Sequence, residues 1–272
     1  LGMVKPDLAD AADGGEQLIG MSEQEITEQE LELGPLIAGR ILGAAPLVDD
    51  AAAQRRVNLV GRWLASRTSR PDLPWTFGII ESDEVNAFAA PGGYVLVTRG
   101  LYQLLADDAE VAAVLGHELS HAVDARGRMV DAKGELRDWW TGTEAAAWDA
   151  NVQKVATLYD GFAYPQLKGV KVNGRLTRDE NIADIAGLEL ARAALVAAMP
   201  SGGAQADKDF YRGWAQVWAQ QVTMDEAQRR SLQDVRAPGP WRGNAPIMQQ
   251  GAFGTAYACK AGTPMQPKVE QR

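Results

Sequence analysis

An α+β fold, with a small mixed sheet packed on a histidine-bearing helix and a mostly helical lower part, is predicted by three observations. The chain's only two histidines fall in one run, His117-Glu118-Leu119-Ser120-His121, inside an apolar, helix-patterned stretch. Two strand-like runs, Trp75–Glu81 and Tyr94–Thr98, lie just upstream, with the turn Pro91-Gly92-Gly93 between them. Helix-patterned segments fill most of the remainder.

Residues 1–20 are rich in Gly, Asp and Ala and read as loose. From Ser22 to about Leu42 the pattern is helical, and its acidic start suits a helix N-terminus. A second helix runs from Asp49 or Asp50 to Ser66, and Arg70-Pro71-Asp72-Leu73-Pro74 breaks the chain before the strands. Asp107 or Asp108 can cap the helix that carries both histidines; its Val111, Leu115, Leu119 and Ala122 form a core face. Residues 124–164 are mixed, with Trp139-Trp140 and a helix-like stretch near Glu144–Leu158. Thr177 opens a helical run to about Met199, followed by a Gly/Ala linker at 201–206 and helix-like runs at 208–221 and 223–234. A Pro/Gly-rich segment at 237–246 and a short helix near 251–259 complete the reading. Trp139-Trp140 and the Trp214/Trp218 pair read as core packing, and Cys259 as a buried small residue. Three segments result: a helical 1–72, a core at 73–200 with both candidate metal helices, and a helical 201–272 that completes the site.

Composition narrows the chemistry. The chain is 46% hydrophobic and 23% charged, as expected of a globular protein. Its net charge of −9, with no dense Lys/Arg stripe, argues against nucleic acid as a partner. One cysteine excludes an internal disulfide framework and a cysteine-paired zinc site, so any metal must sit on histidine and carboxylate. The most apolar stretch, Gly34 to Val48, falls short of the ~20 residues of a membrane span and contains Arg40. The start of the chain lacks a basic, apolar signal segment and reads as a mature or trimmed product.

On a helix, residues four apart lie about 40° apart around the axis. Both imidazoles of the His117–His121 run then share a face, with Glu118 beside them. Two neutral imidazoles and an adjacent carboxylate supply two ligands and a base for a hydrolytic zinc site. Such a site needs a third protein ligand, and with no third histidine it must be Asp or Glu. Thr177-Arg178-Asp179-Glu180-Asn181-Ile182-Ala183-Asp184 offers Glu180 and Asp184, four apart and on one helix face. One can bind metal while the other accepts a hydrogen bond from the far nitrogen of a ligand histidine. Thr177-x-x-Glu180 also matches a capping box, in which Glu180 would reach back to the helix N-terminus instead. Asp184 reads equally as a surface helix charge, and Asn86-Ala87-Phe88 as plain loop and core.

Residues 117–269 resemble the neprilysin family of zinc peptidases. The resemblance rests on His117–His121, Val123-Asp124-Ala125-Arg126-Gly127-Arg128, Arg137-Asp138-Trp139-Trp140-Thr141, Val172-Asn173-Gly174 and Glu180–Asp184. It continues through Gly213-Trp214-Ala215-Gln216-Val217-Trp218 and Ala258-Cys259-Lys260-Ala261-Gly262. It implies one zinc ion on His117, His121 and Glu180, with Glu118 as general base and Asp184 behind the metal. Residues 22–121, chiefly Val85–Leu101 and Ala109–His121, are similar to the family of the CaaX prenyl protease and its soluble periplasmic relatives. Both families are gluzincins of zincin-like fold. Together they imply a substrate strand binding at Asn86, Ala87 and Phe88, and a location in the bacterial periplasm, cell envelope or secreted fraction.

The neprilysin pattern departs at one point. Where that family carries Asp-x-His-x-Pro and then Arg, this chain has Asp234-Val235-Arg236-Ala237-Pro238, with Arg242 at the family's arginine. The resemblance assigns oxyanion stabilisation to Arg242 and to the position that holds Arg236, where a guanidinium replaces an imidazole. The expected activity is zinc-dependent endopeptidase action on peptides or unfolded polypeptides. The alternative is a catalytically weak, peptidase-like scaffold with a chaperone or assembly role at the cell envelope.

Overall fold

The structure is a computed structural model that describes residues 23–68, 70–121 and 142–267. Two helices, α1 (Glu23–Ala44) and α2 (Ala51–Ala65), precede three short strands, β1 (Thr76–Ile80), β2 (Ala87–Ala90) and β3 (Tyr94–Thr98). Of the two candidate caps for α2, Asp50 is the one used: its carboxylate accepts from the amides of Ala52 and Ala53, each at 3.0 Å.

The sheet is mixed, in the order β1-β3-β2. β1 runs parallel to β3, and β2 pairs with β3 antiparallel, from Ala87 opposite Val97 to Ala90 opposite Tyr94. The turn from β2 to β3 uses Gly92 and Gly93 at φ 73° and 87°, a left-handed conformation that a β-carbon would disfavour. The stretch containing Asn86-Ala87-Phe88 is thus an edge strand and not a loop.

The other edge of the sheet is closed by α2 and by the segment before it, where the Val48 N–H donates to the Ile79 carbonyl at 2.9 Å and the Pro46 carbonyl accepts from the Glu81 N–H at 2.8 Å. The Gln54 amide donates to the Ile79 carbonyl at 2.8 Å and accepts from its N–H at 2.9 Å. One turn on, the Asn58 amide donates to the Phe77 carbonyl at 2.6 Å and accepts from its N–H at 3.3 Å. Two residues four apart on a helix meet two residues two apart on a strand, so side-chain amides continue the pairing along β1 where the 46–48 bridge ends.

A short helix α3 (Arg99–Tyr102) leads to α4 (Asp108–His121), then α5 (Gly142–Asp160) and α6 (Gly174–Ala198). Asp107 caps α4, accepting from the Glu110 amide at 2.9 Å. α6 starts earlier than the sequence suggests. Asn173 caps it through the Leu176 amide at 3.0 Å, and Thr177 is already inside, donating to the Asn173 carbonyl at 3.0 Å. The capping box at Thr177–Glu180 does not form, which releases Glu180 from the helix end.

The C-terminal part comprises α7 (Gly203–Val217), α8 (Met224–Gln233), α9 (Gly239–Met248) and α10 (Gly251–Ala256). Most of the expected Gly/Ala linker lies in α7, and the Pro/Gly-rich 237–246 segment is largely α9. Pro240 sits in the first turn of α9, where no N–H is needed. Pro246 has no N–H for the Arg242 carbonyl, and the buried Trp214 indole donates there instead, at 3.2 Å, and to the Gly243 carbonyl at 3.1 Å.

One large core gathers Val57, Ile79, Val95, Leu115, Leu188, Trp214 and Ile247, so all three sequence segments contribute to it. A smaller cluster around Tyr159, Tyr164 and Val172 is separate from it. Trp139-Trp140 lie outside the described residues. Cys259 is half-buried with a free thiol. No helix among the described residues is long and apolar enough to cross a membrane.

Candidate metal centre

α4 and α6 bring the two halves of the site together. His117 and His121 come from the last turns of α4, Glu180 and Asp184 from successive turns of α6. The helices meet at two glycines: a β-carbon on Gly116 would stand 2.6 Å from the Gly187 carbonyl oxygen, and one on Gly187 2.5 Å from the His117 nitrogen. The sequence reading passed over both glycines. Their signal was glycine inside otherwise good helix-forming stretches, which marks close backbone approach.

The ligand atoms converge. His117 Nε2 and His121 Nε2 are 3.0 Å apart, with the rings edge-on at 84°. Glu180 Oε2 is 3.5 Å from His117 Nε2, and Glu180 Oε1 is 3.9 Å from His121 Nε2. Four ligands at ~2.0–2.1 Å from one zinc ion stand about 3.3 Å apart, so these separations suit a shared metal. His117 and Glu180 are buried and His121 half-buried.

Behind this triangle lies a chain of charged contacts. His117 Nδ1 is 2.8 Å from Asp184 Oδ1, and the Asp184 side chain is fully buried. Arg242 Nη2 and Nε donate to Asp184 Oδ1 and Oδ2 at 2.7 and 2.8 Å, a bidentate pair. The guanidinium carbon lies 3.5 Å from the centroid of the Trp218 ring, so Trp218 forms the floor under Arg242 as well as packing on Trp214.

Electrostatics mark the same spot as cationic. Burial lowers the His117 pKa, but hydrogen bonds to Asp184 and Glu180 outweigh it and hold the imidazole at about 9. Burial likewise opposes ionisation of Glu180, yet His117 and Arg236 keep it well below the usual carboxylate range. Asp184 is lowered too, by Arg242 and His117 against its burial. Without metal, a proton on His117 supplies positive charge that a divalent cation would bring. The donor set of two imidazoles and one carboxylate, its spacing and the orienting carboxylate all fit zinc.

The remaining expected residues divide between two locations. Arg242, expected to face the oxyanion, is buried behind the triangle with its Nε and Nη2 directed at Asp184. Arg236, half-exposed in the turn before α9, reaches the triangle itself, with Nε 3.3 Å from Glu180 Oε2. Its backbone is held by the Asp234 carboxylate, which accepts from the Arg236 amide at 3.0 Å. Glu118 follows His117 on α4 and is half-buried. Asn86, Ala87 and Phe88 lie on or beside edge strand β2, and Asn86 remains paired to β3 through its carbonyl and the Thr98 amide at 3.0 Å. Alternation along an antiparallel ladder then turns the backbone groups of Ala87 and Ala89 outward. The Ala87 N–H is also met by the Asn86 side-chain oxygen at 3.0 Å.

Two histidines on one helix, a glutamate on the next and an aspartate one turn further along it define a gluzincin-type metal centre. Comparison of the sequence gives the family: residues 102–272 match Peptidase family M13, and the chain belongs to it. It is 30% identical over 171 residues to Neprilysin-2 of Caenorhabditis elegans, covering 60% of this chain and 23% of that protein. It is 32% identical over 203 residues to the neutral endopeptidase of Lactobacillus helveticus, covering 75% of this chain and 28% of that protein. The chain thus spans about a quarter of the length of these relatives. In fold it is similar to the Mycobacterium tuberculosis zinc metalloprotease Zmp1 solved with an inhibitor, with a TM-score of 0.66 at 20% identity over 81% of this chain and 46% of that one. This match reaches upstream of residue 102, so the helix-rich, small-sheet zincin-like architecture extends beyond the matched family region.

Proposed function

We propose that the chain is the catalytic part of a zinc-dependent endopeptidase, holding one zinc ion on His117, His121 and Glu180. The observation that carries this reading is the convergence of those three side chains, with Asp184 on the far nitrogen of His117. A bound zinc would supply Lewis-acid polarisation of a peptide carbonyl and acidify a water. Asp184 keeps the His117 proton on Nδ1 and so leaves Nε2 as the ligand atom; Arg242 and Trp218 hold Asp184 in place. Glu118 takes the proton of the attacking water and passes it to the leaving amine. Arg236, already against the triangle, faces the negative charge that develops on the carbonyl oxygen, and its half-exposed, solvent-screened guanidinium is a weaker stabiliser than a buried donor.

A peptide or unfolded polypeptide would bind as an added strand along β2, next to Asn86, Ala87 and Phe88. The closed β1 edge and the outward backbone groups of β2 support that choice. The segments 1–72, 73–200 and 201–272 would act as an N-terminal layer, a metal-binding core and a completing helical layer around one shared core. Location in the bacterial periplasm, cell envelope or secreted fraction belongs to the same proposal and rests on the upstream resemblance.

Glu118→Gln tests the reading. The variant should bind zinc like the unmodified chain and lose cleavage of casein and of a quenched peptide by at least the ~10²-fold of a missing general base. The Arg236–Glu180 contact favours one second reading, a metal-binding scaffold with little catalysis. Undiminished function in Glu118→Gln would select the scaffold and overturn the peptidase.

A further inference from the structure

We infer that Gly116 and Gly187 are positioning residues: their backbone-to-backbone crossing sets the size of the triangle formed by His117, His121 and Glu180. The inference rests on the proposed metal centre and concerns what holds its two halves at bonding separation.

α4 and α6 are not consecutive in the chain, α5 lying between them, so the distance between His117 and Glu180 follows the spacing at which α4 and α6 pack. Helices that cross through ordinary side chains keep their axes about 8–10 Å apart. Here the contact is backbone on backbone. A β-carbon at 187 would lie 2.5 Å from the His117 nitrogen and 2.7 Å from the Gly116 carbonyl carbon, and one at 116 would lie 2.6 Å from the Gly187 oxygen. The obstructing atoms are backbone in both directions, so no rotamer change can relieve them.

Room for one methyl group would require the helices to retreat by roughly 1 Å, from these distances to the 3.4 Å at which ordinary contact begins. The crossing is adjacent to His117 in sequence and one turn from Asp184, so the retreat would fall on the ligands. The His117–Glu180 separation of 3.5 Å would widen by a similar amount. A zinc ion with ~2.0–2.1 Å bonds cannot span that gap without distorting or losing a ligand. The apolar contacts around the crossing, including Leu115 and Leu188, could still form, so the fold and the metal site separate in principle.

The experiment compares zinc affinity, measured by competition with a chromogenic chelator, in the unmodified chain, Gly187→Ala and Gly61→Ala. Gly61 is the control: a β-carbon there would meet the Phe77 ring at 2.4 Å, equally crowded but on α2, away from the metal. Gly187→Ala should keep its helical circular dichroism, weaken zinc by about 10–100-fold, and change the visible spectrum of the cobalt-loaded protein. Gly61→Ala should lose thermal stability with zinc affinity and cobalt spectrum unchanged. A folded Gly187→Ala that binds zinc as tightly as the unmodified chain would overturn the inference, as would an equal zinc loss in Gly61→Ala. If Gly187→Ala does not fold, Glu180→Asp withdraws the carboxylate by one methylene with both glycines intact. It must then reproduce the weakening, and unchanged affinity there overturns the assignment. An unmodified chain that takes up no zinc would instead bring down the metal-centre reading, and this inference with it.

Discussion

Replacing Arg242 with methionine is expected to destabilise the metal-free protein by about 3–5 kcal/mol, the cost of stripping one partner from a buried ion pair. Asp184 has no exposed side-chain surface and three donors in reach: Arg242 twice, at 2.7 and 2.8 Å, and His117 at 2.8 Å. Methionine fills much of the arginine stem's volume but removes two of the three, leaving the carboxylate to His117 alone. The loss would be a large part of the 5–15 kcal/mol that holds a typical domain together. Equilibrium urea unfolding in the presence of a chelator measures it. Arg242→Lys should fall between the two, because one ammonium cannot reproduce a bidentate fork.

A double-mutant cycle makes the reasoning refutable. Asp184→Asn alone leaves the Arg242 charge buried without its partner, whereas Asp184→Asn with Arg242→Met removes both charges together. The double variant should therefore be more stable than the sum of the single losses implies, by at least about 1 kcal/mol and up to about 3. Additive losses, or an Arg242→Met cost under about 1 kcal/mol, would mean that Arg242 does not hold Asp184 as the geometry indicates.

Asn173→Ala should cost about 1 kcal/mol by uncapping α6, with Asn173→Asp close to the unmodified chain in the same urea titration. Gln54→Leu with Asn58→Leu should take these partners from the Ile79 N–H and from both Phe77 backbone groups, while the Ile79 carbonyl keeps the Val48 N–H at 2.9 Å; it should lower stability by about 1–3 kcal/mol per group left unpaired and raise light scattering by opening part of a second sheet edge. In the metal-free chain, His117 is raised from 6.5 to about 9. Its contribution to stability should therefore be complete below about pH 6.5 and be lost as pH rises through 9, read as a falling melting temperature with chelator present. Zinc affinity should rise with pH over that window, because the same proton must leave. Arg236→His should raise kcat and tighten zinc binding, because it removes the cation beside Glu180; kinetics equal to the unmodified chain's would show that residue 236 does not meet the oxyanion.

The site was more legible in the sequence than its support. His117, His121 and Glu180 could be proposed because ligand chemistry restricts residue type, and helical spacing restricts which residues share a face. The start of α6 is ambiguous in the sequence because Thr177-x-x-Glu180 is a good capping signal, while Asn173, immediately before Gly174, is an equally good one. Only the tertiary packing that sets Glu180 beside His117 and His121 separates them. The Pro/Gly content of 237–246 suggested a loop, yet Pro240 occupies a first turn and the carbonyl left free by Pro246 is met by Trp214. That compensation comes from another helix and leaves no mark in the local sequence. Edge strand β2 was missed as a strand for a similar reason: Ala87 to Ala90 has little strand propensity and is held by its pairing with β3.

The two arginines illustrate how much charge balance adds to a motif. Read as a pattern, Arg236 and Arg242 both belong beside the reacting carbonyl. In the fold, α9 begins between them, and its first turn carries Arg242 inward onto α6 while Arg236 stays at the open side. The buried Asp184 thereby has its own cation, held through the Nε–Nη2 edge of the guanidinium and floored by Trp218, before any metal arrives. Its charge is largely spent on Arg242, so what it gives His117 is mainly direction: a stable acceptor for the Nδ1 proton. Glu180 faces Arg236 instead, with Nε 3.3 Å from Oε2. That arginine is half-exposed and screened by solvent, so it offsets the Glu180 charge less than Arg242 offsets that of Asp184. A histidine at 236 would be neutral at pH 7 near its ordinary pKa of about 6.5 and would leave that charge untouched. An arginine there partly offsets it, so the substitution that changes the oxyanion partner should also loosen the hold on zinc.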